Sequence, residues 1–496
     1  MRKPLTTGIV VATLVAALAG TAAYAGTPGV DWQPCPGVAG VDCGSVTVPI
    51  DWSNPGQGTI HVALARRKAT DPAARIGSIL MDPGGPGGSG TKAVKAGWTL
   101  SPEVTRRFDT VGFDPRGVGD SNPVQCGKAE SDAQYPELPR NTEDFRRLTE
   151  HNRLLGESCA RLTGPLAGFV DTKSVVRDMD AIRAALGERR LTYYGVSYGT
   201  LMGQQYAETF PGHVRAMALD SNMDHSVANT AEFLRSQSEA VQETFDQFVA
   251  WCDRTPSCAL HGQDVRAVLA EVYARADRGE LTDPSSHRNI TPLELLHKIT
   301  RDFYGPAWTN VANGLASLRD PAAARAASAP AEDTVPSAFL SVFCADWRVP
   351  VHSFAELDGY RRAQQSVAPD MKLSQLAWSA VTGCAGWPGE LRDPPHRLSI
   401  HNGPPLLMLG GRYDPATPYA WSEAAAAQSG AVLLTYDGSG HEAYFKHSDC
   451  VVKATDDYLI TGRTPPRGTH CAAVEPTLAQ VTAGPGIPHT RTLGTR

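Results

Sequence analysis

The chain has 496 residues, 42% of them hydrophobic and 20% charged, and its formal net charge is −6. This length is too great for one simple core and fits a large domain that carries an inserted one. A mildly acidic chain without lysine or arginine runs is not suited to nucleic acid, so we expect no nucleic-acid partner.

The first 25 residues have the three-part form of a secretory signal peptide. Arg2 and Lys3 precede an apolar run at 8–18, and residues 23–25 (Ala-Tyr-Ala) supply a small-x-small cleavage site. The alternative is a membrane anchor, but the run is too short and alanine-rich to span a bilayer comfortably. We expect residues 1–25 to be removed and the protein to be secreted, monomeric and without stable membrane association.

Ten cysteines in an exported chain predict five disulfides. No pair shows the close CxxC spacing of zinc or redox sites, so we expect no metal and no cofactor. Spacing alone does not fix the pairing, and we favour pairing between neighbours in sequence. The favoured pairs are Cys35 with Cys43, Cys126 with Cys159, Cys252 with Cys258, Cys344 with Cys384, and Cys450 with Cys471.

Residues 26–225 predict the first part of an α/β core, with a mostly parallel sheet covered by helices on both faces. Residues 44–66 alternate in polarity around a turn at 54–56, which is typical of an antiparallel hairpin at a sheet edge. Strands then alternate with helices, as in parallel sheets. The predicted strands are 77–81, 108–113, 191–194 and 215–219, and the predicted helices are 174–186 and 200–210.

The alternation stops near residue 225, and residues 226–398 predict a helical cap inserted into the core. Amphipathic segments cover 228–274, 292–319 and 355–383, and 320–337 is a Pro/Ala-rich loop. The expected apolar anchors of the first segment are Phe233, Phe245, Phe248 and Trp251. The core resumes over 399–483 with strands at 405–409 and 432–436, and we expect residues 484–496 to form a disordered tail.

Residues 195–199 read Gly-Val-Ser-Tyr-Gly and lie between a predicted strand and a predicted helix. A serine between two glycines at such a junction is the nucleophile elbow of α/β-hydrolases. The turn is so tight that side chains two residues either side of Ser197 would collide. It therefore predicts an α/β-hydrolase fold with Ser197 as the nucleophile, although a glycine-rich chain also forms such turns by chance.

A serine hydroxyl needs a base to take its proton and an acid to orient the base, in the chain order serine, acid, histidine for this fold. Asp414 follows the strand at 405–409, and His441 lies in a glycine-rich loop after the strand at 432–436. Catalytic groups gather at that edge of an open sheet. We assign His441 as general base and Asp414 as its orienting carboxylate.

Each of these two residues has alternatives. Alone, Asp414 fits a turn or a helix cap, and His441 fits an exposed loop. The competing acid is Asp220, which also ends a predicted strand. The competing bases are His447, placed in a helix after His441, and His396 and His401, which precede a strand.

The glycine-rich loop at 84–90 follows a buried strand and predicts an oxyanion hole, because glycines let a backbone N–H approach a substrate carbonyl. We assign Gly85 and Tyr198 as the donors, with Gly84 as an open alternative. A phosphate loop is disfavoured because no Gly-Lys-Ser/Thr is present. Arg116, in the turn at 114–121, is expected to tie loops together beneath the site.

Together these motifs resemble the secreted tripeptidyl aminopeptidases of actinobacteria and the related prolyl aminopeptidases and exported carboxylesterase-like peptidases. Two cysteine-tryptophan pairs, at 344–347 and 384–387, look like those of the tripeptidyl group. Prolyl aminopeptidases usually open the glycine loop with His, where this chain has Asp82-Pro83, and this departure favours the tripeptidyl branch. The other resembling segments are 84–88, 114–121, 195–200, 412–418 and 440–441.

The resemblance implies a serine exopeptidase that releases tripeptides or other short peptides from free N-termini through an acyl-enzyme. A carboxylesterase that uses the same triad on small esters is the alternative. Such exopeptidases hold the substrate ammonium with acidic cap residues. The candidates are Asp346, Glu232, Glu239 and Glu243, each of which also fits an ordinary surface or loop contact. Thr417 is expected either to hydrogen-bond near the triad or to cap a helix.

Overall fold

The computed structural model describes residues 29–283, 288–319 and 334–476. The expected signal peptide, most of the Pro/Ala-rich loop and the expected tail lie outside these ranges. No helix in the described ranges is both long enough and apolar enough to cross a membrane.

A twisted sheet of ten strands forms the centre of the molecule, in the order β1-β2-β3-β5-β4-β7-β8-β10-β11-β12. From β5 onward the neighbouring strands are parallel, whereas β1, β2 and β3 form an antiparallel edge that joins β5. A separate pair, β6 and β9, is antiparallel. The strands are β1 Gln33–Pro34, β2 Asp42–Pro49, β3 Thr59–Arg67, β4 Gly77–Asp82, β5 Phe108–Phe113, β6 Gln125–Gly127, β7 Leu191–Val196, β8 Val214–Asp220, β9 Thr334–Pro336, β10 Leu407–Tyr413, β11 Val432–Ser439 and β12 His470–Cys471.

Helices cover both faces of this sheet, which is why β4, β5 and β7 are buried along their whole length. Alternate side chains enter two apolar layers, so that Tyr193 packs in one and Tyr194 in the other. The predicted α/β-hydrolase architecture is therefore confirmed. The helices of the core are α1 Gly90–Lys95, α2 Pro102–Arg107, α3 Lys128–Asp132, α4 Thr142–Thr163, α5 Thr172–Ala185 and α6 Tyr198–Thr209.

The segment between β8 and β10 is helical and has an apolar core of its own. Phe245, Phe248 and Trp251 lie in this core, as expected, whereas Phe233 packs in the main core of the sheet. We name the helices of this segment the cap. They are α7 Thr230–Arg254, α8 Val265–Asp277, α9 Pro292–Tyr304, α10 Trp308–Arg319, α11 Phe339–Asp346, α12 Phe354–Val367 and α13 Gln375–Cys384, and the core then ends with α14 Tyr419–Ser429 and α15 Asp449–Thr461.

Helix α4 has no counterpart in the sequence prediction. It begins at the Asn141 cap and packs against α12 and α13, so that the layer beside the cap includes a helix that precedes the nucleophile in the chain. Its surface carries pairs three residues apart, such as Arg146 with Glu143 and Arg153 with Glu150. The expected helical position of His447 is wrong, because it lies at φ +58° between a short 3₁₀ turn and α15.

All ten cysteines form disulfides, and the favoured pairing between sequence neighbours is confirmed. Cys126–Cys159 attaches β6 to α4, and Cys344–Cys384 joins α11 to α13 within the cap. The covalent links therefore lie both in the core and in the cap.

Candidate active site

Ser197 sits in the tight turn between β7 and α6 that the sequence predicts. Its backbone has φ 55° and ψ −121°, a conformation that a non-glycine residue adopts only when the surrounding structure imposes it. A Cβ on Gly195 would lie 2.6 Å from the Gly199 carbonyl oxygen, and a Cβ on Gly199 would lie 2.9 Å from the Asp82 carbonyl oxygen. A side chain at either position would collide with these backbone oxygens, so both positions require glycine.

Asp414 and His441 form a buried pair. His441 Nδ1 lies 2.9 Å from Asp414 Oδ2 and 3.0 Å from Oδ1. The carboxylate also accepts the backbone N–H groups of Ala416 and Thr417 and the Thr417 hydroxyl. Thr417 thus supports the acid rather than capping α14, whose N-cap is Pro418. Since Nδ1 is held by Asp414, Nε2 is the ring nitrogen left for proton transfer.

The pair shifts the pKa values of both partners toward the charged forms. Desolvation by burial opposes ionisation, but the Asp414 charge and hydrogen bond outweigh it, so the pKa of His441 is raised. For Asp414, desolvation is likewise outweighed by the charge and hydrogen bond of His441 and by backbone donors, and its pKa is lowered. The site therefore stabilises an imidazolium, which is the species formed when a histidine takes a proton from serine.

Register along the sheet brings the three positions to one edge. Val196 pairs with Asp220, and Asp220 pairs with Leu409 on β10. Tyr413 then pairs with Ser439 on β11. Ser197, Asp414 and His441 therefore follow the carboxyl ends of parallel strands of one sheet.

The alternative acid, Asp220, is buried but binds the main chain. Its carboxylate accepts the N–H groups of Ala443 and Tyr444 and the Tyr194 hydroxyl. Its carbonyl oxygen accepts the N–H of Ser197 at 2.9 Å. Asp220 thus fixes the serine turn and the segment after His441, while the imidazole is bound by Asp414.

The alternative bases are placed elsewhere. His396 Nε2 contacts Glu208, and His401 contacts Ser399, both in the stretch before β10. His447 is exposed. None of the three has a hydrogen bond to Asp414 within the described residues, which leaves His441 as the candidate base.

Gly85 and Tyr198 are the predicted backbone donors of the oxyanion hole. The N–H of Gly84 already donates to Asp82 Oδ1 at 2.8 Å, which removes Gly84 as a donor. In the described part of the chain neither Gly85 nor Tyr198 has a hydrogen-bond acceptor for its backbone N–H. A Cβ on Gly84 would lie 2.8 Å from Tyr198 N, so the glycine loop and the start of α6 are in contact. The geometry therefore favours Gly85 over Gly84.

Asp346 is not where a substrate ligand is expected. It is completely buried, and its carboxylate accepts hydrogen bonds from the Thr172 backbone N–H and hydroxyl and from the Tyr198 hydroxyl at 2.7 Å. Because solvent does not reach Asp346, the structure gives it the role of a support for Tyr198 in place of the ammonium contact expected from the sequence. Nothing in the sequence indicates that the Tyr198 hydroxyl donates a hydrogen bond to Asp346.

The three candidate glutamates lie on α7 and differ in their surroundings. Glu232 and Glu239 both form surface ion pairs with Arg235. Glu243 precedes Thr244, whose hydroxyl donates to the Tyr413 carbonyl oxygen beside Asp414. Partial desolvation raises the pKa of Glu243 against the lowering effect of the Arg412 charge. Of the three, Glu243 is the one whose neighbour in the chain, Thr244, contacts the residue before Asp414.

A cap residue that sequence reasoning missed touches the candidate base. The His441 backbone N–H donates to the Tyr304 carbonyl oxygen at 3.0 Å, and the two rings lie 4.9 Å apart between centroids. A Cβ on Gly440 would lie 2.9 Å from the same carbonyl oxygen, so a glycine is needed for this approach. The end of α9 therefore packs directly on the loop that carries His441.

Comparison with known proteins shows the family to which this chain belongs. Residues 371–471 match the family model described as TAP-like protein. Over 477 residues the chain is 32% identical to serine protease Hip1 of Mycobacterium tuberculosis, covering 89% of this chain and 91% of that protein. It is 31% identical over 481 residues to a tripeptidyl aminopeptidase of Streptomyces lividans, covering 91% and 88%. The chain belongs to the TAP-like family of α/β-hydrolases.

The chain is also 31% identical over 458 residues to carboxylesterase B of Mycobacterium tuberculosis, covering 87% of this chain and 86% of that protein. As a TAP-like α/β-hydrolase the protein is a serine hydrolase. The resemblance seen in its motifs is thereby confirmed over nearly the whole described chain.

Proposed function

We propose that this TAP-like hydrolase is an exported serine exopeptidase that releases tripeptides or other short peptides from free N-termini. The observation that carries the proposal is the buried Asp414–His441 pair at the same sheet edge as the strained Ser197 turn. The relatives named as a serine protease and a tripeptidyl aminopeptidase support peptide substrates. The five disulfides support export to an oxidising compartment.

The mechanism is acyl transfer in two steps. Ser197 Oγ attacks the peptide carbonyl carbon while its proton passes to His441 Nε2, and the oxyanion accepts the N–H groups of Gly85 and Tyr198. The C–N bond then breaks as His441 returns the proton to the leaving amine. Water then gives a proton to His441 and attacks the acyl carbon, the ester bond to Ser197 Oγ breaks, and Oγ takes the proton back from His441. Asp414 stabilises the imidazolium in both steps.

A fluorophosphonate probe tests the nucleophile. We expect covalent labelling of the protein at Ser197 and its complete loss in Ser197→Ala. Ser399→Ala is the matched control, because Ser399 is exposed and its hydroxyl contacts only His401 among the described residues. Labelling that persists in Ser197→Ala would overturn the assignment.

Recognition of the free N-terminus is assigned to Glu243. Its carboxyl group is exposed on α7, next to the contact between Thr244 and the Asp414 loop. Mass spectrometry of products from matched unblocked and N-acetylated peptides should show short peptides released only from the unblocked series. Glu243→Gln should raise KM for unblocked peptides with little change in kcat, whereas Glu232→Gln, an exposed partner of Arg235, should change neither.

A carboxylesterase acting on small esters is the second candidate, supported by the relative named carboxylesterase B. Tripeptide anilides and nitrophenyl esters with comparable leaving groups separate the two functions. Ester turnover without cleavage of unblocked peptides would favour the esterase. Cleavage of the anilides at comparable or higher kcat/KM supports the peptidase.

A further inference from the structure

Two histidines and an aspartate converge away from the candidate active site. His225 lies in the segment after β8, and Asp393 and His396 lie between α13 and β10. One ring nitrogen of each histidine and one carboxylate oxygen of Asp393 lie within 4.8 Å of one another. His225 and Asp393 are buried, whereas the His396 side chain is 34% exposed, which gives the cluster an entrance from the surface.

Both imidazoles are oriented by acceptors outside the cluster. His225 Nε2 lies 2.7 Å from the carbonyl oxygen of Asp346, so this nitrogen donates and Nδ1 presents a lone pair. His396 Nε2 lies 2.9 Å from Glu208 Oε2, and Glu208 is itself fixed by the backbone N–H of Ser399. His396 Nδ1 lies 3.3 Å from the Pro394 carbonyl oxygen, a long contact that Nδ1 would give up to bind a metal. A carbonyl or carboxylate behind each ring is the arrangement found around metal-ligating histidines.

The cluster is rich in acceptors and poor in donors. The buried Gln205 amide nitrogen is shared between His225 Nδ1, at 3.3 Å, and Asp393 Oδ2. Gln205 Oε1 is buried and has no hydrogen-bond partner among the described residues. The cation at the cluster is Lys173, whose Nζ lies 3.1 Å from Asp393 Oδ1 and whose side chain is half exposed. Lys173 can therefore withdraw to solvent without being buried unpaired.

From these contacts we propose that His225, Asp393 and His396 bind one divalent transition-metal ion, with zinc the best match to two imidazoles and a carboxylate. A water molecule or Gln205 Oε1 completes a four-ligand set. As the metal arrives, the Gln205 amide turns its nitrogen away from His225 Nδ1 and Asp393 Oδ2, and Lys173 moves away from Asp393. The ion is structural. It joins the segment after β8 to the segment before β10, and through the Asp346 carbonyl it reaches the end of α11. This inference is independent of the proposed peptidase function.

Zinc binding to the intact protein tests the site directly. Protein stripped with a chelator and dialysed at fixed neutral pH should take up one zinc ion per chain, measured by plasma mass spectrometry. Its Tm should rise steadily as free zinc is increased above the dissociation constant. His396→Gln should weaken zinc binding at least tenfold and abolish the rise in Tm. Because His396 is partly exposed, we expect the variant to fold. Circular dichroism in the absence of zinc checks this.

Two further variants distinguish this site from accidental surface binding. Asp393→Asn should also lose zinc, whereas His401→Gln, an exposed histidine nearby that contacts Ser399, should bind zinc as the wild type does. The proposal is overturned if the stripped wild type takes up no zinc, or if His396→Gln retains wild-type affinity. If His401→Gln alone loses zinc, the metal binds at the surface, and this result also overturns the proposal.

Discussion

The carboxylate of Asp220 accepts the backbone N–H of Tyr444 at 2.9 Å, just beyond His441 in the chain. The same residue holds the N–H of Ser197 through its carbonyl oxygen. Asp220 therefore fixes the serine turn relative to the histidine loop without touching the imidazole. Asp414 has the complementary position, because it binds the His441 ring directly.

Replacing Asp414 by Asn should lower kcat by about 10⁴-fold while the protein stays folded, because an amide neither fixes the required tautomer nor stabilises the imidazolium. Steady-state kinetics on a tripeptide anilide, with circular dichroism as the folding check, measures this loss.

Asp220→Asn is the matched control for that variant. It should cost about 1–3 kcal/mol of unfolding free energy, since an amide cannot accept both backbone N–H groups. Its effect on kcat should be far smaller than that of Asp414→Asn. The reverse ranking of the two kcat values would make Asp220 the catalytic acid.

Activity should rise with pH through a midpoint above the ordinary pKa of a histidine, because the base must be neutral. Desolvation by burial lowers the pKa of His441, but the Asp414 charge and hydrogen bond outweigh it and raise this pKa. Glu442 raises this pKa further, and Lys446 lowers it. The kcat/KM profile measures the free enzyme, and Glu442→Gln should move the midpoint to lower pH. A profile that is flat from pH 4 to 8 contradicts His441 as the base.

Asp82, beneath the glycine loop, should make the wild type less stable as pH rises. Burial raises its pKa to about 8, so the folded state keeps a proton that the unfolded chain releases near pH 4. Asp82→Asn keeps an acceptor for the Gly84 N–H and cannot ionise. The unfolding free energy of Asp82→Asn minus that of the wild type should therefore increase by about 1.4 kcal/mol for each pH unit between about pH 4 and about pH 8. Denaturant unfolding from pH 5 to 9 measures this gain, and a pH-independent difference would mean that Asp82 is already ionised.

Arg116 should contribute to the stability of the fold and not to substrate binding. Its guanidinium is fully buried, pairs with both carboxylate oxygens of Asp178 and donates to the carbonyl oxygens of Pro49, Ile50 and Phe169. This confirms the expected role beneath the site. Arg116→Met leaves the buried Asp178 carboxylate without its ion-pair partner, although the Trp52 indole N–H still donates to it, and should cost about 3–5 kcal/mol of unfolding free energy. A raised KM with unchanged stability would instead place Arg116 against the substrate.

Sequence reasoning succeeded where local chemistry decides the structure. The turn at Ser197 needs glycines on either side, and both the strand before it and the helix after it have clear periodicity. Asp414 and His441 each follow an apolar strand, so parallel pairing brings them to one edge. These signals depend on residues close together in the chain.

Long-range packing limited the prediction elsewhere. Helix α4 is covered with charged pairs, and the side it buries is defined by cap residues far along the chain, such as Thr382, whose carbonyl oxygen accepts the Asn152 amide. Asp346 looked like a cap carboxylate free to meet an ammonium group. Its burial depends on Thr172 and Tyr198, which are distant in sequence.

The contact between Tyr304 and His441 couples two parts of the molecule that differ in chain position and in layer. The carbonyl oxygen at the end of α9 is the acceptor for the backbone of the histidine loop, and the Tyr304 ring lies against the imidazole. A displacement of α9 away from the sheet would therefore break the hydrogen bond to the His441 backbone and separate the two rings. We expect substrates to reach Ser197 by a path that leaves this helix in place.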